Sequence, residues 1–229
     1  MENLLFRQIA CAVFLLLLGG ARYYFVSVST HPADRSPPPS VNWARQIPAY
    51  FASTVWIIYA AWLALLPEQF VGWDTWPLSR WVSNLLGWVA VPFFSAGLCL
   101  FWYSHYTIGR YWSMQIQLKE AHRLVTHGPY GYVRHPLYTA LFLGYLGTLL
   151  ALQSWMLAAW FPVFVASYVL FAREEENIME GGFGEAYRAY RRQTGMFLPR
   201  WRRIRADVSR AVVRWRARSF DTQRTGDDE

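Results

Sequence analysis

Leu137 to Ala172 reads LYTALFLGYLGTLLALQSWMLAAWFPVFVASYVLFA, 36 consecutive residues without a formal charge. As one straight helix this stretch would measure about 54 Å at ~1.5 Å per residue. The hydrocarbon core of a bilayer is only about 30 Å thick, so the stretch has to fold back on itself. The polar pair Gln153 and Ser154, followed by Trp155, lies near its middle and marks the turn. Two apolar helices in a tight hairpin are predicted.

The rest of the chain shows the same partition of charge. Of 229 residues, 54% are hydrophobic, 18% aromatic and only 16% charged, against about 25% charge in an ordinary soluble domain. Charge is also unevenly placed, because 13 of the 22 Lys and Arg lie from Arg173 onward. A further 22 uncharged residues separate Arg45 from Glu68, and 29 separate Arg80 from Arg110. A disordered chain, a secreted disulfide scaffold and a soluble enzyme are thereby excluded. Cys11 and Cys99 both sit in apolar runs and read as packing residues.

Five spans follow. The first runs from Leu4 to about Val28, with Arg7 and Arg22 placed to snorkel toward opposite interfaces. It reads as a retained span, because Glu2, a single basic residue before the apolar run and no small-x-small cleavage pattern argue against a signal peptide. Thr30 to Ile47, with Pro32, Pro37, Pro38 and Pro39, reads as a loop. The second span covers Pro48 to Leu66, and the third Trp81 to about Tyr106 with a kink at Pro92. The 137–172 hairpin supplies the fourth and fifth. The fold class is therefore an all-α, multi-pass transmembrane bundle, divided into residues 1–109 (spans one to three), 110–199 (a catalytic region with spans four and five) and a tail, 200–229.

Cytoplasmic connections are enriched in Lys and Arg. The 110–134 connection carries Arg110, Lys119, Arg123 and Arg134 against Glu120, and between Arg188 and Arg218 there are 11 Arg and one acid, Asp207. Both belong on the cytoplasmic side, and the two crossings of the hairpin between them keep them there together. The Arg-rich tail, with Trp201 and Trp215, reads as an amphipathic segment on an anionic membrane surface rather than a nucleic-acid site. With 21 Arg and one Lys, the composition suggests a GC-rich bacterial coding sequence, hence a bacterial cytoplasmic membrane.

His105, His122, His127 and His135 fall close together in sequence, but no two stand at i, i+4 and no Cys accompanies them, so no metal site is assigned. More informative is His127-Gly-Pro-Tyr-Gly-Tyr-Val-Arg-His-Pro-Leu-Tyr138. Gly128 and Pro129 make a turn, and Pro136 suits the first turn of the fourth span. Arg134 and His135 are then placed at a helix N-terminus, which attracts anions. The other half is Arg173-Glu174-Glu175-Glu176, expected at the end of the fifth span, with Phe183-Gly184-Glu185, Tyr187, Tyr190 and Leu198-Pro199 beyond it. Three consecutive carboxylates at a helix C-terminus require compensation. Arg134, Arg173 or a bound cation can supply it.

These motifs, in this order from Gln115 to Pro199, resemble the isoprenylcysteine carboxyl methyltransferase family of integral membrane methyltransferases, which has phospholipid N-methyltransferase relatives. The resemblance implies S-adenosylmethionine as cofactor, bound by Gln115, by His122, Arg123, Leu124 and Val125, by Tyr130, by His135, Pro136, Leu137 and Tyr138, and by Glu175. Tyrosine faces and a carboxylate can hold a sulfonium, while a helix N-terminus with Arg134 can hold a carboxylate. Arg173 is the candidate for orienting the acceptor, and Glu176 or His135 for a base where the acceptor needs one. A hydrophobic or lipidated acceptor met at the cytoplasmic face is implied. A phospholipid N-methyltransferase, a thiol S-methyltransferase, an NADPH-dependent sterol-type reductase and a membrane scaffold without activity remain as alternatives.

Overall fold

A computed structural model describes residues 2–29, 43–65, 72–109, 124–200 and 205. Among them the chain is helical, with six α-helices: α1 (Glu2–Ser29), α2 (Trp43–Leu65), α3 (Arg80–Ile108), α4 (Pro136–Leu152), α5 (Trp155–Phe183) and α6 (Glu185–Gln193). Short 3-10 turns at Gly72–Asp74 and Gly128–Gly131 complete the set. Four helices, α1, α2, α3 and α5, are long and apolar enough to cross a membrane, and α4 is a shorter apolar helix of 17 residues. All five expected spans are present as helices.

The hairpin turns where the polar pair stands. Gln153 takes the left-handed conformation (φ 53°) that ends α4, and the Ser154 hydroxyl accepts the Leu157 N–H at 3.0 Å to start α5. That hydroxyl fills one of the donors a helix N-terminus leaves open. Helix α4 lies chiefly against α3, while α2 lies along α5 and α1 touches α2, α3 and α4. The α3–α4 contact is close because it is built on glycine, as is usual where apolar helices associate in lipid. A Cβ on Gly97 would stand 3.1 Å from the Ala140 carbonyl oxygen and 3.3 Å from the Gly144 nitrogen. At the bundle centre, Trp56 meets Tyr145 and Phe164 at ring distances of 5.2 and 5.3 Å.

Two boundaries differ from the sequence reading. Helix α2 begins at Trp43, five residues before Pro48, so Trp43 to Ile47 are helical rather than loop. A proline removes one hydrogen bond and bends a helix without forbidding helix on its N-terminal side. Helix α5 continues eleven residues past Ala172, to Phe183. The acidic run is therefore inside the helix and not at its C-terminus, so the macrodipole contributes little to its cost. Most of the tail, the 110–123 segment and the 30–42 segment lie outside the described residues.

The two ends of the bundle are both polar. One holds the 152–155 turn, the start of α3 and the Gly72–Asp74 turn. There the Asp74 carboxylate accepts from Tyr59 Oη at 2.7 Å, from the Met156 N–H at 2.9 Å and from Ser154 Oγ. Ser83 Oγ donates to Gln153 Oε1 at 2.7 Å and accepts from Arg7 Nη1 at 2.7 Å. The other end holds the start of α4, the end of α5 and α6.

Candidate active site

The second polar end is assembled from three chain segments. The first is the Gly128–Gly131 turn and the extended residues after it, which lead into Pro136 at the first position of α4. The second is the acidic run on α5. The third is α6 and the residues beyond it, which lie back along the first. Gly195 pairs with Val133 in an isolated parallel bridge, and the Arg134 and His135 N–H groups donate to the carbonyls of Gly195 and Met196 at 2.9 and 3.1 Å. Tyr190 Oη donates to the Tyr130 carbonyl at 2.7 Å. Residue 195 has to be glycine here, since a Cβ would collide with the Leu198 carbonyl.

This framework holds a charged cluster. Arg134 Nε donates to Glu176 Oε1 at 2.7 Å, with the two side chains only 7% and 3% exposed. His135 bridges both carboxylates, its Nε2 3.1 Å from Glu176 Oε1 and its Nδ1 3.2 Å from Glu175 Oε2. With an acceptor at each ring nitrogen, the imidazole is held doubly protonated. Burial by itself would lower its pKa, but the hydrogen bonds and charges of Glu175 and Glu176 outweigh burial and raise it above the ordinary 6.5. Arg191 Nε lies 3.6 Å from Glu176 Oε2. Arg134 is further anchored by Nη1 donating to the Thr194 carbonyl at 2.6 Å.

The carboxylates thus have different situations. Glu176 is buried and neutralised by Arg134, His135 and Arg191. Glu175 is 25% exposed, with His135 as its ion-pair partner among the described residues. Around it stand aromatic groups. Tyr138 stacks on His135 at 5.4 Å with an interplanar angle of 2°, and Tyr138 in turn meets Tyr168 at 4.9 Å and Phe171 at 5.7 Å. Tyr130 and Tyr187 are buried, and burial first, then nearby carboxylates, raises the pKa of each phenol. They remain neutral, offering ring faces and O–H donors. A carboxylate with spare acceptor capacity beside tyrosine rings suits a cation.

Of the residues singled out in the sequence, Arg134, His135, Tyr138, Glu175 and Glu176 come together, with Tyr130 close by. Pro136 is buried at the start of α4, whereas Leu137 packs on the hydrophobic core. Leu124 and Val125 are half-buried in the chain approaching the turn. Arg173 is exposed on α5, so the compensation expected of it comes instead from Arg134, His135 and Arg191. Gln115, His122 and Arg123 lie outside the described residues. Arg191, Thr194 and Gly195 were not anticipated. The sequence signal for them was the basic run after Tyr190, which reads equally well as a surface anchor.

The fold and site together define a helical integral membrane protein with a carboxylate, imidazolium and tyrosine cluster at one end of the bundle. Residues 89–180 match the model of the isoprenylcysteine carboxyl methyltransferase (ICMT) family. Among similar proteins, the nickel-cobalt-cadmium resistance protein NccN of Alcaligenes xylosoxydans xylosoxydans is 34% identical over 108 residues, 46% of this chain and 50% of the relative. The cobalt-zinc-cadmium resistance protein CzcN of Cupriavidus metallidurans is 35% identical over 96 residues, 41% and 44% of the two chains. The protein-S-isoprenylcysteine O-methyltransferase of Tribolium castaneum is 32% identical over 92 residues, 38% of this chain and 31% of that one. The chain thus spans half or less of the length of these relatives. A solved structure of the eukaryotic intramembrane Ras methyltransferase ICMT is similar with a TM-score of 0.44 and 21% identity, covering 76% of this chain and 60% of that one.

Proposed function

We propose that this protein is an S-adenosylmethionine-dependent membrane methyltransferase of the ICMT type, which methylates a hydrophobic or lipidated acceptor at the cytoplasmic face. The observation that carries the reading is Glu175. It is a partly exposed carboxylate, held from one side by His135 and flanked by tyrosines, within the family-matched segment. When bound, S-adenosylmethionine supplies an electrophilic methyl group on a sulfonium. This chain's residues fit such a cation, with Glu175 for its charge and Tyr138 and Tyr130 for its face.

The chain's own contribution is positioning. Glu176 is fastened to Arg134 and His135, which locks the start of α4 to α5 and fixes the direction of Glu175. His135, held as imidazolium, and Glu176, already neutralised, are poor proton acceptors. The geometry therefore favours an acceptor that needs no base, such as a carboxylate. Arg173, exposed one turn or less from the acidic run, would orient that acceptor by paired hydrogen bonds. The aromatic wall of Tyr138, Tyr168 and Phe171 would exclude water and admit an apolar tail from the bilayer. The catalytic unit assigned to residues 110–199 contains all of these groups.

Basic residues support the cytoplasmic placement, since Arg134, Arg173 and the arginines of α6 all lie at the site end. Saturable binding of radiolabelled S-adenosylmethionine to the detergent-purified protein is the primary test. Absence of binding, or equal binding after Glu175→Ala, contradicts the reading. Methyl transfer to prenylcysteine, phosphatidylethanolamine and a small thiol, scored by base-stability of the product, identifies the acceptor. Reporter fusions at the C-terminus test the orientation, and an external C-terminus would place the site on the wrong face.

A further inference from the structure

Gln46 is fully buried, at 0% exposure, and both its side-chain amide atoms lack a hydrogen-bond partner among the described residues. Leaving a buried donor or acceptor unpaired costs about 1–3 kcal/mol, and here one side chain leaves both. Packing alone does not account for it, because leucine would fill a similar volume without that penalty. The position also lies outside the family-matched segment.

Its place in the fold indicates what it faces. Gln46, Tyr50 and Ser53 stand at i, i+4 and i+7 on one face of α2. That face looks at α5: Ser53 Oγ lies 2.7 Å from Tyr168 Oη, and the Tyr50 ring is 5.9 Å from Phe171. The two helices run antiparallel, so one turn from Tyr50 back to Gln46 matches one turn from Phe171 on to Glu175. Tyr50 is already within electrostatic reach of Glu175. The α2 face therefore presents Ser53, Tyr50 and Gln46 in a row that rises along the aromatic wall toward the level of Glu175.

We infer that Gln46 hydrogen-bonds the polar head of the methyl acceptor, a lipid-tailed molecule whose head offers an N–H donor next to a carboxylate acceptor, as an N-acylated amino acid does. The inference rests on the methyltransferase reading and extends it to a residue on α2. An amide is suited to the task because it pairs through both atoms with such a head, and it adds no charge beside Glu175. The aromatic rings below it match the tail.

The test uses the full-length protein in detergent, with N-acetyl-S-farnesylcysteine as probe and farnesol as a tail without the head. Gln46→Leu is expected to unfold at the wild-type temperature or above, and to bind S-adenosylmethionine within about twofold of wild type, because the lost amide had no partner. The farnesylcysteine concentration that half-saturates thermal stabilisation is expected to rise about tenfold or more, while the farnesol effect stays equal in both proteins. In transfer assays KM for the probe rises by a similar factor with kcat nearly unchanged. Unchanged half-saturation in Gln46→Leu, or a wild type that the probe does not stabilise, overturns the assignment while saturable S-adenosylmethionine binding still upholds the methyltransferase reading. Loss of that binding in the wild type instead removes the reading itself.

Discussion

The two polar ends of the bundle are built from similar materials and leave their carboxylates in different situations. At the hairpin-turn end, Asp74 receives donors from a tyrosine, a serine and a backbone N–H, and Gln153 and Ser83 bond each other reciprocally. Asp74 has used both its oxygens, and the arrangement fastens α2, α3 and α5 together at a point where the chain turns. At the α4-start end, Glu176 is buried against the cations Arg134, His135 and Arg191, but its neighbour Glu175 is partly exposed and bridged by His135. A buried carboxylate matched by donors or cations stabilises a fold, whereas a partly exposed one can meet a ligand. Adjacent positions on one helix, 175 and 176, differ in this way.

The largest expected effect comes from turning the satisfied member of the site into an unsatisfied one. Arg134→Ala leaves the buried Glu176 without its closest cation, and breaking a buried pair in this way costs about 3–5 kcal/mol. Thermal unfolding in detergent should register it, and S-adenosylmethionine binding should weaken with it because α4 and α5 are no longer locked. An unchanged midpoint would mean that Glu176 is not part of the fastening. Glu175→Gln is the converse case. Activity is expected to fall by about a hundredfold or more, as when other preorganised charges are removed from active sites, with the unfolding midpoint close to wild type. A stable variant retaining full activity would move the cation site away from Glu175.

At the opposite end, Asp74→Ala strands the Tyr59, Ser154 and Met156 donors and is expected to destabilise by about 2–3 kcal/mol. Affinity for S-adenosylmethionine should be unchanged in the surviving folded protein, and a change would show that the ends are coupled. The smallest effect is in pH. A histidine whose folded pKa is raised contributes stability fully below the unfolded value of about 6.5 and loses it as pH rises through the folded value. Unfolding midpoints should therefore decline as pH rises above 6.5 in the wild type. His135→Gln should flatten that decline. A steeper wild-type decline below pH 6.5 than above it would contradict the doubly bonded imidazolium.

Much of this was legible in residue order alone. The uncharged run from Leu137 to Ala172 requires a hairpin because no bilayer accommodates its full helical length, and only Gln153 and Ser154 interrupt it. Pro136 announces the start of α4, since its missing N–H belongs at that position. The pairing of Arg134 with an acidic run 42 residues away was foreseeable from charge, as a run of carboxylates next to a span needs cations. Which carboxylate it takes was not. The end of α5 was misplaced because charge marks the edge of the membrane, and a helix continues past that edge wherever tertiary contacts support it. Arg191 and Thr194 reach the site through the fold-back of the chain after α6, which has no periodic signature.

What the sequence by itself determined is the class of molecule and the chemistry available: apolar length sets which stretches can cross a bilayer, and motif order from Gln115 to Pro199 shows which family the chain resembles. What only the tertiary structure decided is the division of labour among like residues. Glu175 and Glu176 are chemically identical and adjacent, and Gln46 is the single amide side chain of α2. Their roles depend on which donors lie within about 3 Å of each oxygen or nitrogen, and those donors arrive from segments separated in sequence by tens of residues. A local sequence pattern carries no record of such distances.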